Sequence, residues 1–116
     1  MNWLRLENPS DFQQLLDASF SDNLSAVAIF KHSTRCVIST MAKVRLAASW
    51  NFKDELPIYY LDLIQHRALS NQVSEELGVE HQSPQLLLIK GGKCFYHTSH
   101  NGISVREINS FLKQKD

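Results

Sequence analysis

A continuous apolar run, Ser25 to Phe30, limits the folds open to this chain more than any other segment. After the serine it reads Ala-Val-Ala-Ile-Phe, without the alternation of polar side chains that a half-exposed strand would have. Such a run is expected of a strand buried on both faces. A polar turn, Lys31 to Arg35, then leads to Cys36, where helical spacing of apolar residues begins. The pattern predicts a central strand that passes into a helix at Cys36.

Four further segments have strand character, because they are rich in β-branched, aromatic or leucine side chains. They are Trp3 to Leu6, Leu56 to Leu63, Gln85 to Lys90 and Lys93 to Thr98. Gly91-Gly92 separates the last two segments, which is the spacing of a tight hairpin turn.

Apolar residues at helical spacing predict four helices. The first covers Asp11 to Ser19, with Ser10 as the expected N-cap and Gln13 completing a capping box. The second runs from Val37 to about Trp50. In chain order, the apolar positions of the four helices are Phe12, Leu15, Leu16 and Phe20; Val37, Met41, Val44 and Ala48; Leu69, Val73 and Leu77; Val105, Ile108 and Leu112.

The third helix is expected to have Ser70 as its cap and Gly78 as its C-terminal stop. The complete order of elements is then βαβαβαββα. Its alternating part implies parallel strands, and the closing hairpin adds an antiparallel pair. The predicted fold is an α/β domain with a mixed central sheet flanked by helices.

Composition and charge narrow the class of protein. The 116 residues suit a single domain over 1–116 with one core. Twelve basic residues balance twelve acidic ones, without the basic excess typical of nucleic-acid binders. The charge balance argues against nucleic acid as a partner. No apolar run is long enough for a signal peptide or a membrane span, so no membrane is expected as a partner either. Two cysteines are too few for a disulfide framework, which favours a reducing cytoplasm.

Three runs of residues carry a resemblance to a known family. They are FKHSTRCVIS (Phe30 to Ser39), HQSPQLLLIKGGK (His81 to Lys93) and HTSHNGI (His97 to Ile103). With these runs in this order, the chain resembles the YtxJ-like monothiol bacilliredoxins, which have a thioredoxin-like fold. The resemblance implies a thiol–disulfide oxidoreductase that removes the small thiol bacillithiol, its co-substrate, from mixed disulfides. Its partners would be bacillithiolated proteins.

The same resemblance assigns roles to particular residues. Cys36 would be the catalytic, attacking thiol. Ser39, in a C-x-x-S spacing, would stand where dithiol relatives keep a second cysteine. Ser83 and Pro84 would form a substrate-binding loop, with a cis peptide bond between them that faces Cys36. Val37 departs from the proline expected in much of the family.

The chemistry of the segment suits an active thiol, because a thiolate attacks a disulfide and a thiol does not. Free amides at the helix start and the Arg35 guanidinium would stabilise a Cys36 thiolate. Arg35 would alternatively bind the carboxylates of an anionic thiol cofactor. His32 and Thr34 are further supporting candidates, and His32 either assists ionisation of the thiol or lies on the loop surface. The Ser39 hydroxyl cannot resolve a mixed disulfide, but it can hydrogen-bond the Cys36 sulfur or satisfy backbone donors.

Several alternatives stay open from sequence. Cys36 would also suit a buried packing position, which would leave a non-catalytic binding module on a thioredoxin scaffold. Iron–sulfur carriage is a third function, disfavoured by the bulky Val37 and Ile38 after Cys36. Cys94 is expected to pack within a strand, although a Cys36–Cys94 disulfide stays open because it depends on distance. The five histidines lack the spacing of a ligand set, so no metal is expected.

Overall fold

The computed structural model describes residues 1–115, which form five strands and four helices. The strands are β1 (Trp3–Arg5), β2 (Val27–His32), β3 (Ile58–Asp62), β4 (Gln85–Lys90) and β5 (Lys93–Ser99). The helices are α1 (Pro9–Ala18), α2 (Val37–Ser49), α3 (Arg67–Leu77) and α4 (Val105–Lys115). The predicted order βαβαβαββα is confirmed, with two single-turn 3-10 helices added at Lys53–Glu55 and His100–Gly102.

The central strand, β2, lies in a five-stranded sheet of order β1-β3-β2-β4-β5. It runs parallel to β3 and antiparallel to β4. β4 pairs with β5 through the Gly91-Gly92 turn, in which both glycines have a positive φ, as a tight hairpin requires. Every residue of β2 is buried. The mixed sheet and the burial of its central strand on both faces are therefore confirmed.

Alternate residues of β2 point into two separate apolar clusters, one on each face of the sheet. The cluster on the side of α2 and α4 includes Ala28, Phe30, Leu46 and Ile108. The cluster on the side of α1 and α3 includes Val27, Ile29, Leu15 and Val73. The same alternation directs the next two side chains of the strand, Lys31 and His32, to the α3 side and the α2 side respectively.

The predicted polar turn is wrong for its first two residues. β2 continues through Lys31 and His32, which are 0% and 4% exposed, because Leu61 and Asp62 of β3 pair with them. The buried amine of Lys31 donates a 2.8 Å hydrogen bond to the hydroxyl of Ser74. The loop before α2 is therefore shorter than predicted, and its histidine belongs to the core.

The first helix begins earlier than predicted. Its N-cap is Asn8 and not Ser10, because the Asn8 side chain accepts the amide of Asp11 at 2.8 Å and Pro9 takes the first helical position. The helix ends at Ala18, so Phe20 falls outside it. Phe20 is 65% exposed, and its predicted place on the apolar face is wrong.

The third helix also begins earlier, after His66, so Ser70 is a buried residue inside the helix and not its cap. Its apolar face is as predicted, with Leu69 and Val73 buried. Gly78 ends the helix in the left-handed conformation at φ 66, which confirms the predicted C-cap.

The apolar residues whose spacing predicted α2 face outwards. Val37, Met41 and Val44 are 74%, 57% and 62% exposed, and Ala48 is exposed as well. The buried side of α2 consists of Ser39, Ala42 and Leu46. Both stripes have helical spacing, so periodicity alone does not decide which of them packs on the sheet.

No helix within residues 1–115 is long and apolar enough to cross a membrane. The longest, α2, has 13 residues, whereas a span takes about 20.

Candidate active site

Cys36 is the N-cap residue of α2 and is partly exposed. Its backbone is extended, with φ −111° and ψ 121°, and its amide donates to the Ser33 carbonyl at 3.1 Å. Its carbonyl accepts the amide of Thr40 at 3.0 Å, the first hydrogen bond of the helix. The thiol therefore lies at the positive end of the helix dipole, beside first-turn amides that have no partner within the helix.

Ser39 follows Cys36 by three residues and is completely buried. Its hydroxyl oxygen accepts the amide of Ser33 at 3.0 Å and lies 2.5 Å from Nδ1 of His32. Of the two roles predicted for this hydroxyl, satisfying a backbone donor is therefore confirmed. The other predicted role was a hydrogen bond to the Cys36 sulfur, but the side-chain partner of this hydroxyl is His32.

His32 occupies the end of β2 and is buried, so of its two predicted roles the position on the loop surface is wrong. Its ring stacks on Phe30 with centroids 5.7 Å apart and lies 5.5 Å from the Tyr60 ring. Burial lowers the pKa of His32 below its usual 6.5 and nearby Lys43 lowers it further, while Asp62 acts in the opposite direction. The imidazole beneath the helix start is consequently neutral at pH 7.

Thr34 and Arg35, the other supporting candidates, are both exposed in the loop between β2 and α2. Val37 and Ile38 follow Cys36 and are also exposed, at 74% and 48%. The thiol thus has a cationic residue on one side of it in the chain and apolar residues on the other. None of these four side chains is held in the core.

The Ser83–Pro84 peptide bond is cis, as predicted. Pro84 immediately precedes β4, whose first residue, Gln85, pairs with Lys31 near the end of β2. Because β2 and β4 are antiparallel neighbours, the start of β4 and the end of β2 meet at the same edge of the sheet. The proline loop therefore shares an edge with the loop that carries Cys36.

Cys94 lies at the opposite end of the sheet. It pairs with Ile89, which pairs in turn with Val27 at the start of β2. Val27 and His32 are five residue steps apart along the strand, a distance of about 16 Å. Two cysteines must approach to within about 7 Å between Cα atoms to form a disulfide, so the fold excludes a Cys36–Cys94 bridge.

The environment of Cys94 matches the packing role expected for it. It is partly buried against the cluster on the α1 and α3 side, and its thiol donates to the Tyr96 carbonyl at 3.3 Å. Burial raises the pKa of the Cys94 thiol, against a smaller lowering by backbone hydrogen bonds and by Lys31. A thiolate forms less readily there than at an exposed cysteine.

Sequence reasoning missed a second buried polar group, on the α3 side of β2. The Lys31 amine, bonded to Ser74, also lies 3.5 Å from Nδ1 of His81. Burial lowers the pKa of Lys31 to about 8, and Cys94 opposes this shift. If the predicted strand had ended two residues later, its period-two alternation would have placed the Lys31 side chain on the α3 side of the sheet.

Across the described 115 residues, no three His, Cys, Asp or Glu side chains form a group able to hold a metal ion.

Comparison with known proteins agrees with this geometry. The family model of the monothiol bacilliredoxin BrxC matches residues 4–108. A solved structure with a thioredoxin fold is 25% identical over 92% of this chain and 90% of its own, and superposes with a TM-score of 0.78. Thioredoxin from Trypanosoma brucei brucei is 10% identical over 99% and 93% of the two chains, with a TM-score of 0.75. Thioredoxin from Malassezia sympodialis is 16% identical over 97% and 90%, with a TM-score of 0.70.

The two thioredoxins support the fold alone, whereas the family match extends over nine tenths of the chain. The fold is therefore thioredoxin-like, and the chain belongs to the BrxC family of monothiol bacilliredoxins.

Proposed function

We propose that this protein is a monothiol thiol–disulfide oxidoreductase that removes bacillithiol from mixed disulfides on cytosolic proteins through Cys36. The observation that carries the proposal is a partly exposed thiol at the first turn of α2, at the sheet edge shared with the cis Ser83–Pro84 loop. Bacillithiol enters as co-substrate from the family to which the chain belongs.

The reaction is a pair of thiol–disulfide exchanges. The Cys36 thiolate attacks the bacillithiol sulfur of a protein–bacillithiol disulfide, the S–S bond breaks, and the freed protein thiolate takes a proton from water. A second bacillithiol thiolate then attacks the bacillithiol sulfur held on Cys36. This step releases the Cys36 thiolate together with the disulfide of two bacillithiol molecules.

The regenerating thiol comes from outside the protein, because neither of the internal candidates is suitable. A serine hydroxyl does not attack a disulfide, and Ser39 is buried and bonded to His32. Cys94 lies at the far end of the sheet, in surroundings that raise its pKa. The arrangement of this chain therefore supports the monothiol route, as its family does.

The surface around Cys36 suits both partners of the exchange. Exposed Arg35 offers two parallel hydrogen bonds to a carboxylate of an anionic small thiol. Val37 and Ile38 add exposed apolar area next to the thiol, against which the segment flanking a substrate cysteine would pack. Ser83 and Pro84 would bind that segment from the neighbouring loop.

Exposure to oxidised bacillithiol followed by peptide mass spectrometry tests the proposal. The wild-type protein should gain one bacillithiol adduct, on Cys36, and should transfer bacillithiol from a modified model protein. Cys36→Ser should do neither, whereas Cys94→Ala should behave as wild type. An adduct on Cys94 alone, or an unmodified Cys36 after prolonged exposure, would overturn the proposal in favour of a binding module.

A further inference from the structure

The serine of the C-x-x-S segment has a buried partner that the proposed chemistry does not use. Nδ1 of His32 lies 2.5 Å from Oγ of Ser39, and the residues are 4% and 0% exposed. A hydroxyl and an imidazole buried together satisfy one another. Loss of Ser39 leaves Nδ1 of His32 without this partner, and loss of His32 leaves the Ser39 hydroxyl proton without this acceptor, each at a free-energy cost.

A short series of hydrogen bonds connects this pair to Cys36. The Ser39 oxygen also accepts the amide of Ser33 at 3.0 Å. The carbonyl of the same Ser33 accepts the amide of Cys36 at 3.1 Å. The Ser39 hydroxyl therefore fixes the Ser33 amide, and the Ser33 carbonyl fixes the Cys36 amide.

We propose that His32 and Ser39 are positioning residues for Cys36, acting through the two backbone bonds of Ser33. The inference rests on the proposed function for its chemistry, since Cys36 is the thiol being positioned. On this view, the residue at position 39 does more than replace a resolving cysteine. It joins the end of β2 to the start of α2 and fixes where the nucleophile lies relative to its helix.

The protonation of the pair follows from its surroundings. Phe30 and Tyr60 cover the His32 ring, Lys43 of α2 and Asp62 of β3 are the charged groups around it, and the imidazole is neutral at pH 7. With the hydrogen on Nε2, Nδ1 accepts the Ser39 hydroxyl proton while the Ser39 oxygen accepts the Ser33 amide. Nδ1 of His32, the Ser39 hydroxyl and the Ser33 amide then each have a partner.

Matched substitutions of His32 separate positioning from packing. Asparagine offers a polar atom near the place of Nδ1, whereas leucine fills similar volume without one. The rate of Cys36 alkylation by a neutral reagent, iodoacetamide, is the first measurement, and the rate of adduct formation with oxidised bacillithiol is the second. We expect His32→Leu and Ser39→Ala each to slow both reactions roughly tenfold, the value of one lost hydrogen bond, and His32→Asn to restore most of the rate.

The double variant His32→Leu/Ser39→Ala should be no slower than either single variant, because both residues act through one series of bonds. If His32→Leu does not fold, Ser39→Ala, the smaller change, still tests the inference. Wild-type alkylation rates in both single variants, or additive losses in the double variant, would overturn it. If the variants slow alkylation as expected but the wild type forms no bacillithiol adduct, the proposed function is overturned and the positioning role stands.

Discussion

At the scale of single residues, position 39 decides whether the protein can complete the exchange alone. Ser39 is within the first turn of α2, one helical turn from Cys36, and its side chain contacts a neutral imidazole. A thiol placed there would have a base beside it and a disulfide partner three residues away, which is the arrangement of C-x-x-C sites. Only the sulfur is missing from the wild-type chain.

Ser39→Cys is therefore expected to convert the route from monothiol to dithiol. The introduced thiolate would attack the Cys36 sulfur of the bacillithiol adduct, release bacillithiol and leave an internal disulfide. The adduct lifetime, followed by whole-protein mass spectrometry after removal of free thiol, should fall well below that of Ser39→Ala, the control that lacks any sulfur at this position. A persistent adduct in Ser39→Cys would mean that the side chain at position 39 cannot reach Cys36.

Arg35 provides a second test at this scale. Because Arg35 is exposed and bacillithiol is anionic, Arg35→Ala should slow adduct formation several-fold at low salt and less at high salt. Arg106→Ala removes another exposed arginine, on α4, and serves as the control for overall charge. Equal rates in both variants, at every ionic strength, would assign Arg35 to the solvated surface.

At the scale of elements, the strands were more predictable than the orientation of the helices. Continuous apolar runs predict buried strands because few other structures remove such runs from water, and Gln85–Lys90 is found with both predicted ends. Helix α2 carries apolar residues on two sides, so its inner face depends on tertiary contacts. The buried Ser39 bonded to His32 is one of those contacts, and no single-sequence pattern encodes it.

The same limit applies to the candidate site. The position of Cys36 could be predicted because a strand-to-helix junction is a local feature, and the cis Ser83–Pro84 bond could be predicted from a proline before a strand together with the thioredoxin-like resemblance. The burial of His32 could not, because it depends on β3 pairing beside it, and the contact between His32 and Ser39 joins two elements. The position of Cys36 therefore follows from local sequence, whereas the contacts that hold its loop follow only from the fold.

A pair of alanine substitutions checks the orientation of α2. Val44→Ala removes side-chain atoms that are 62% exposed, so the free energy of unfolding should change by less than about 0.5 kcal/mol. Leu46→Ala removes a fully buried side chain and should destabilise the protein by about 2–5 kcal/mol. Urea unfolding of the two variants decides between the faces, and a larger loss for Val44→Ala would reverse the assignment.

At the scale of the whole molecule, Lys31 connects three parts of the fold. It belongs to the central strand, its amine donates to Ser74 of α3, and it lies beside His81 in the segment that leads to the proline loop. The groups it meets there are a hydroxyl and an imidazole. Burial lowers the pKa of Lys31 to about 8. The pKa of His81 is lowered too, by burial and by the positive charges of Lys31 and Arg67. A charge held in this way costs stability, which the fold tolerates at the centre of its sheet.

The pH dependence of stability should reveal that cost. The pKa of Lys31 is about 8 in the folded state and 10.5 when unfolded, so between these values the unfolded chain binds more protons and rising pH stabilises the fold. Below pH 8 the full penalty applies, on the order of 3 kcal/mol. Lys31→Met removes the charge and keeps most of the volume. Its free energy of unfolding should exceed that of the wild type by up to this amount at pH 7, less the lost bond to Ser74.

That advantage should shrink as the pH rises from 8 to about 10.5, where the wild-type amine is neutral in both states. Comparing each variant with the wild type at the same pH cancels the titration of the tyrosines. Cys94 interacts with Lys31, but this interaction shifts the pKa of each group less than burial does. Lys113→Met, which alters an exposed lysine, should show no such trend. Urea unfolding at intervals of half a pH unit provides the measurement. A difference between Lys31→Met and wild type that stays constant from pH 7 to 10.5 would mean that Lys31 keeps its charge inside the fold, and that its contacts with Ser74 and His81 offset the burial.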